Sequence, residues 1–469
     1  MERLASGPHF SARRFLALLI ASGMLLVTTA GSAAGGPPLL WSDRFGTADS
    51  TEIVNAVDAK ANRVFAAGGS RGVDGQNHFL VRAYQATTGS LLWQDESSAN
   101  GFATVVAAKH DMVFVAGGST LRAHDAATGV LLWENQARAA GGFAVVNGIA
   151  VRGPFVFLAG AIQKQGGNFD FDFWVRVHDA NTGALLWEDV VDKANGDDVA
   201  TTIAVTGRRV VVAGWSSSAG PLPPPDEEPG LETGNTDLLV RVYDAFDGKI
   251  LWEDVFDRAG GDDVATTVVA SGRRVFVGGI SEKFDESGTS NLDGVVRAYD
   301  AATGAVLWHV DVDSGPTDLI ASIVVRGRRL FVAGRTQNTA GNADVLVQAY
   351  DTETGAALWS NIFDGGNGDD WANAIAVTRG KVAIAGRVTD ANGNIEFLVR
   401  TYKSVTGDLL WEDRFDVGRI DEARDITIER GRIVAVGLGE DDGENFDFIV
   451  RGYSAHQFAG RQVEVAPGQ

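Results

Sequence analysis

Eight of the eleven tryptophans recur in one context, and this repetition limits what the chain can fold into more than any other feature. Trp41, Trp93, Trp133, Trp187, Trp252, Trp308, Trp359 and Trp411 each follow an apolar residue pair, at a mean spacing of about 53 residues. A unit of this size cannot bury an apolar face alone, so its copies must stack on one another. Within each copy, short β-branched runs alternate with Gly, Asn and Asp clusters, the pattern of strands and turns. In the copy that starts at Trp252, runs fall at 250–256, 264–270, 274–279 and 294–299 before Val306-Leu307-Trp308 opens the next. No segment after the N-terminal leader carries a 3.6-residue apolar period. Four strands per repeat predict an all-β fold, an eight-bladed β-propeller of four-stranded antiparallel blades, with seven blades as the alternative count. The last copy, after Trp411, has no Trp strand of its own. The N-terminal strand Leu39–Phe45 is expected to supply it, pairing with residues 446–453 and removing the free sheet edge between first and last blades. Residues 461–465 are a degenerate ninth candidate without the Trp, so one propeller domain is assigned to residues 39–465.

Residues 1–34 read as a cleaved signal peptide. Arg3, Arg13 and Arg14 precede a mostly apolar stretch at 15–30, followed by small residues up to Ala34. The stretch is shorter than the roughly 20 residues of a membrane span. Arg13-Arg14-Phe15 lacks the spacer residue of a twin-arginine signal, so general secretory export is expected. The product is then periplasmic or extracellular, with no membrane insertion after cleavage. Forty Lys and Arg against 61 Asp and Glu leave a net charge of −21, which argues against nucleic acid as a partner. The chain has no cysteine, which excludes disulfides, thiolate metal sites, cysteine nucleophiles and lipid attachment at cysteine.

The turn before most Trp strands reads Ala-x-Asp-x-x-Thr-Gly-x-x-x-Trp. It is complete at 123–133, 298–308 and 349–359, and partial at 83–93, 177–187, 242–252 and 401–411. Asp caps a tight turn, Gly supplies a left-handed conformation and Trp offers a large flat surface to the next blade. The motif resembles the tryptophan-docking motif of the quinoprotein (PQQ-type) β-propeller repeats, over nearly the whole chain beyond the signal. The resemblance implies a propeller in which the eight repeat Trp are structural docking residues. Dehydrogenases of that family place quinone and calcium at the centre of one propeller face, usually with a Trp and often adjacent cysteines around the quinone. Those cysteines are missing here, and no residue set matches the family's calcium and base residues. The outer-membrane assembly lipoproteins with this repeat need a lipidated Cys after the signal, also missing. The resemblance thus implies a non-lipidated exported member, for which PQQ is not expected.

His124 and His178 stand where other repeats have Tyr84, Tyr243, Tyr299 and Tyr350; His309 takes the Glu slot after Trp308; His110 and His456 fall in turns, and His78 opens a strand. No Ser-His-Asp or His-metal spacing emerges, and no catalytic residue is assigned. Arg82, Arg122, Arg176, Arg241, Arg297, Arg400 and Arg451 recur on the third strand, with Gln348 in the eighth slot, and read as cross-strand partners of the acidic residue after Trp. Charge sorts by face. The D-to-A and B-to-C loops are rich in Asp and Glu, among them Asp192, Asp198, Asp257, Asp263, Asp369, Asp370, Asp421, Glu282 and Glu440, whereas the A-to-B turns carry Arg and Lys. One loop has ligand-like spacing, Asp390, Asn392, Asn394 and Glu396 around Gly393, which suits a hard cation and equally an ordinary hairpin. Trp371 and Trp215 map to the same face, as stacking platforms or as core. Residues 216–237 form a Pro-rich exposed insertion on that face.

These readings favour a monomeric, non-catalytic binding or scaffold protein that takes a protein, glycan or cationic ligand on its acidic face. No cofactor is expected, calcium being the one ion the face suits. A PQQ- or metal-dependent oxidoreductase is the alternative, because a propeller alone does not fix function.

Overall fold

The computed structural model describes residues 38–455 apart from 47–49, 73–74, 98–100, 137–142, 164–170, 194–195, 218–234, 259, 285–287, 367 and 442–444. The signal peptide, the body of the Pro-rich insertion, His456 and residues 461–465 lie outside the described residues.

Every described element is a strand, and the strands form eight four-stranded antiparallel sheets. Blades 1 to 7 take residues 51–97, 105–136, 144–191, 198–256, 263–312, 318–363 and 371–415. Blade 8 takes 421–454 and completes its sheet with Leu39–Phe45, whose Leu39 lies opposite Tyr453 and Phe45 opposite Phe448. In each blade strands A to D run outward, and the A strands of successive blades pack together around the axis. The ring closes as the strand count predicted, with the N-terminal strand as the outer strand of the last blade.

Strands B and C are covered on both faces by neighbouring blades and are therefore continuous apolar runs, as in Arg209–Ser217 and Thr236–Asp244. The outer strand meets water on one side and alternates, as in Ile250–Phe256. Each strand B has a Gly at one fixed position, from Gly68 to Gly437. A Cβ there would come within about 2 Å of a strand A carbonyl, for example 1.9 Å from Ile53 O at Gly68 and 1.8 Å from Glu422 O at Gly437. In blades 1 and 3–8 the neighbouring strand A is bulged by one residue at this level. In blades 1, 3, 4, 5 and 7 the bulge turns a short polar side chain to the next blade. Asn55 Nδ2 donates to Ala103 O (2.8 Å), Asn147 Nδ2 to Ala200 O (2.9 Å), Thr201 Oγ1 to Ala265 O (2.6 Å) and Asn373 Nδ2 to Ala423 O (2.9 Å). Thr104, in the unbulged blade 2, makes the same bond to Val146 O (2.6 Å). The inner wall is thus laced blade to blade by side chains that satisfy otherwise idle carbonyls.

The outer wall is held by the tryptophans. Trp252 Nε1 donates to Ala301 O (3.1 Å) of the next blade, and its ring lies against Gly304, whose φ of +74° no side chain adopts cheaply. The same pair of contacts joins Trp41 to Ala86 and Gly89, Trp93 to Ala126 and Gly129, and Trp359 to Ser404 and Gly407. The turn Asp does what the motif implied: Asp300 Oδ1 accepts from Ala302 N and Thr303 N, both at 3.0 Å.

The recurrent Arg does more than pair within its blade. Arg82, Arg297 and Arg451 each lie beside the Tyr two residues on and reach an Asp on the outer strand of the preceding blade, Asp43, Asp254 and Asp413. That Asp also accepts from the Tyr hydroxyl, at 2.8, 2.9 and 2.7 Å. The same guanidiniums stack on Phe45, Phe256 and Phe415 of the preceding blade, at 3.9, 4.1 and 4.0 Å. The cross-strand reading holds as well, for example Arg400 with Glu412 (2.8 Å), so the Arg is both a cross-strand and a blade-to-blade residue.

Candidate functional site

The antiparallel order of each blade places the D-to-A and B-to-C loops at one end of the ring. Two kinds of carboxylate stand there, and they differ from a simple charged face. Asp192, Asp257, Asp313, Asp364 and Asp416, each the first residue after an outer strand of blades 3–7, are exposed. Asp198, Asp263, Asp370 and Asp421, read from sequence as loop charges, are instead fully buried, as is Asp318. Asp198 and Asp263 anchor the loop before them by accepting from Lys193 N (2.5 Å) and Arg258 N (2.6 Å). Asp421 accepts from Val417 N (2.9 Å) and Gly418 N (3.2 Å). Burial pushes these carboxyls up, to about 8 for Asp198, about 7 for Asp263 and Asp421, and about 6 for Asp370. Glu282 and Glu440 are likewise buried strand residues, not loop charges.

Part of the face neutralises itself: Lys283 reaches Asp293 (2.7 Å) and Asp313 (2.9 Å), Arg258 reaches Asp311 (2.9 Å), and Arg419 reaches Glu440 (3.2 Å). In blade 3 the strand C residue Asp172 joins Asp192 and the neighbouring Asp198 in one group, with an oxygen of each within 4.8 Å of the others. The loop with ligand-like spacing is arranged differently. Asp390 Oδ1 accepts from Asn392 N (2.8 Å) and Asn394 N (2.9 Å), its Oδ2 from Asn392 Nδ2 (3.2 Å), while Glu396 faces Arg414 (3.5 Å). Asp390, Asn392 and Asn394 therefore close a hairpin turn on themselves, and Glu396 stands apart on a strand.

His124 and His178 occupy Tyr positions as the register required. His124 is buried, stacks on Trp93 at 5.9 Å and meets Gly129 O through Nδ1 (3.2 Å), and burial lowers its pKa, as it does for His178. Trp215 packs with Ala161, Val199, Val264 and Ile280, and is core.

One sector breaks the eightfold pattern. The residue after the fixed strand B Gly is Gly69, Gly118, Ala161, Trp215, Ile280 or Leu438 in six blades but Arg335 in blade 6 and Arg387 in blade 7. The residue before the paired Ala or aliphatic is Ile53, Phe102, Val145, Val199, Val264 or Leu319 in six blades, but Trp371 in blade 7 and Glu422 in blade 8. The bulge residue of blade 8 is Arg424, where Asn or Thr is usual. These residues meet at the inner mouth on the acidic face. Arg387 lies 3.5 Å over the Trp371 ring and Arg335 4.8 Å from its centroid. Trp371 Nε1 and Asn373 Nδ2 donate to Glu422 Oε1 (3.4 and 3.1 Å), and Arg424 Nη1 donates to Asn55 Oδ1 (2.7 Å). Burial lowers the pKa of both Arg335 and Arg387. Of this sector the sequence reading flagged only Trp371. The signal that would have found the rest is the repeat register itself, since a functional residue is one that a single blade carries and the others lack.

The eight blades and their docking tryptophans define a PQQ-type repeat propeller. Residues 29–218 and 292–435 match the family described as outer membrane protein assembly factor BamB, the PQQ_2 repeat family, and the chain belongs to it. No curated protein matches. Among solved structures, the quinohemoprotein alcohol dehydrogenase ADHIIG of Pseudomonas putida HK5 is 13% identical with a TM-score of 0.54, covering 92% of this chain and 78% of its own. The quinohemoprotein alcohol dehydrogenase of Comamonas testosteroni is 13% identical with a TM-score of 0.56, covering 88% of this chain and 76% of its own. At such identity the likeness is one of fold. A stacked quinone needs an open indole face, and the described residues do not fit that need. Seven of the repeat Trp lie against turns, Trp411 is buried beside Tyr453, Trp174 and Trp215 are buried, and Trp371 carries the Arg387 guanidinium.

Proposed function

We propose that this protein is a non-catalytic binding scaffold, exported from the cell, whose acidic face takes a cationic ligand or a basic partner. The observation that carries the reading is the exposed ring of Asp192, Asp257, Asp313, Asp364 and Asp416, repeated on five consecutive blades at one end of the propeller. Such a ring concentrates cations and speeds encounter with a basic surface. The Asp172, Asp192 and Asp198 group offers calcium the oxygen donors it prefers, and binding there displaces the proton that burial keeps on Asp198. The indole faces already in use support a binding role over a quinone-dependent dehydrogenase.

The test is calorimetric titration of the exported chain with a lysine-rich peptide and, separately, with calcium, at constant ionic strength. Saturable binding of either, weakened by joint Asp257→Asn, Asp364→Asn and Asp416→Asn substitution for the peptide or by Asp192→Asn for calcium, supports the reading. Absence of both, or dye-linked alcohol or sugar oxidation on adding PQQ and calcium, overturns it.

A further inference from the structure

We infer that the inner mouth between blades 6 and 7 binds a small oxyanion, carboxylate or phosphate, held between the guanidiniums of Arg335 and Arg387 beside Trp371. The site is independent of the acidic ring. Arg387 is 7% exposed, and its Nε is buried without an acceptor. The guanidiniums of Arg387 and of the half-buried Arg335 make no hydrogen bond or ion pair among the described residues; each has the Trp371 ring as its neighbour. Two guanidiniums so placed repel one another, and burying an unpaired charge is costly. The carboxylates nearby are engaged elsewhere: Glu422 by Trp371, Asn373 and Arg424, and Asp370 by Gly365 N and Thr389 N. Asp369 directs Oδ1 to Ala343 N (2.9 Å). Other blades avoid the cost with Ile280 or Leu438 at the same position, so the fold does not require Arg here. A bound oxyanion supplies the missing acceptors, and the planar forks of two Arg match either oxyanion class. Glu422, Asp369 and Asp370 lie close enough to act on Arg387, and Asp369 on Arg335, yet among the described residues none of them forms an ion pair with either guanidinium.

Titration of the exported chain with inorganic phosphate and with succinate, against chloride at matched ionic strength, tests this. One saturable site for at least one oxyanion is expected, and which of them binds tells a phosphoryl from a carboxylate ligand. Arg335→Ile and Arg387→Leu, each installing the residue of a sister blade, should weaken that binding at least tenfold and melt no lower than the parent without oxyanion. Arg152→Gln, at the opposite end, should leave it unchanged. Should either variant fail to fold, Arg387→Lys keeps the charge and loses the fork, and should also weaken binding. No saturable binding of either oxyanion, an equal response to chloride, or unchanged affinity in the Arg335 and Arg387 variants overturns the inference.

Discussion

Asp198 holds its carboxyl where water does not reach, and its acid form is the one the fold favours. The folded pKa, about 8, lies above the roughly 3.9 of an unfolded Asp, so the folded chain keeps a proton that the unfolded chain has released. The stability tied to that proton is fully present below about pH 4 and is lost as pH rises through about 8. Asp263 and Asp421, at about 7, and Asp370, at about 6, add to the same trend. The melting temperature should therefore fall between pH 5 and pH 8.5, opposite to a protein dominated by salt-bridged carboxylates. Asp198→Asn keeps an oxygen for Lys193 N and removes the charge. Calorimetry should find it more stabilising, relative to the parent, at pH 8.5 than at pH 5; an equal effect at both would show that Asp198 titrates normally.

Between blades, what matters is the pairing of one outer strand with the turn and third strand of the next. Trp308 donates to Thr352 O (3.2 Å), lies against Gly355 and meets Phe276 at 5.7 Å. Trp308 is half-buried, so Trp308→Ala should cost about 3 kcal/mol, the lower end for a buried aromatic, read from the denaturation midpoint. The Arg–Tyr–Asp connection gives a finer test at the same junction. Where the Asp position becomes Val310, the Arg position becomes Gln348, whose Oε1 accepts from Tyr350. Gln348→Arg alone leaves a guanidinium without its carboxylate, and Val310→Asp alone the reverse. Each should destabilise, and the double variant should recover a coupling of about 1 kcal/mol in a double-mutant cycle; simple additivity would deny the connection. The Trp period and the Asp-x-x-Thr-Gly turn made the blades legible in sequence, because docking and capping use residue types that repeat. Lacing by Asn55, Asn147 and Thr201 was not legible, because a bulge leaves no mark in the alternation of the strand. Nor was the burial of Asp198 and Asp263, since a carboxylate beside a Gly-rich loop looks the same whether it faces water or caps backbone N–H groups. The Arg335, Trp371 and Arg387 sector is written in the sequence, but only as a departure from its neighbours.

The whole ring depends on one junction that the chain makes with residues nearly 400 positions apart. Blade 8 carries its own fastening to blade 1: Asp425 Oδ2 accepts from Val57 N (2.7 Å), Glu429 accepts from Ala61 N (2.8 Å) and Asn62 N (3.1 Å), and Arg424 donates to Asn55. Leu39–Phe45 adds the outer strand, and with it Trp41 against Gly89 and Tyr84 at 5.9 Å, and Asp43 beneath Arg82 and Tyr84. Without that strand, Phe446–Ser454 becomes an open edge and blade 1 loses its docking Trp. The inner polar fastening would remain, so the two contributions can be separated. A chain that keeps its export signal but lacks residues 39–45 should lose its single cooperative transition, melt at least 10 °C lower and associate through the exposed edge. A synthetic peptide of residues 38–46 added in trans should restore most of the melting temperature with a saturable dependence, because it binds only the folded ring. The same peptide with Trp41→Ala should restore much less, since it keeps the strand hydrogen bonds and loses the docking surface. Unchanged cooperativity after the deletion would mean that the inner contacts of Asp425, Glu429 and Arg424 close the propeller by themselves.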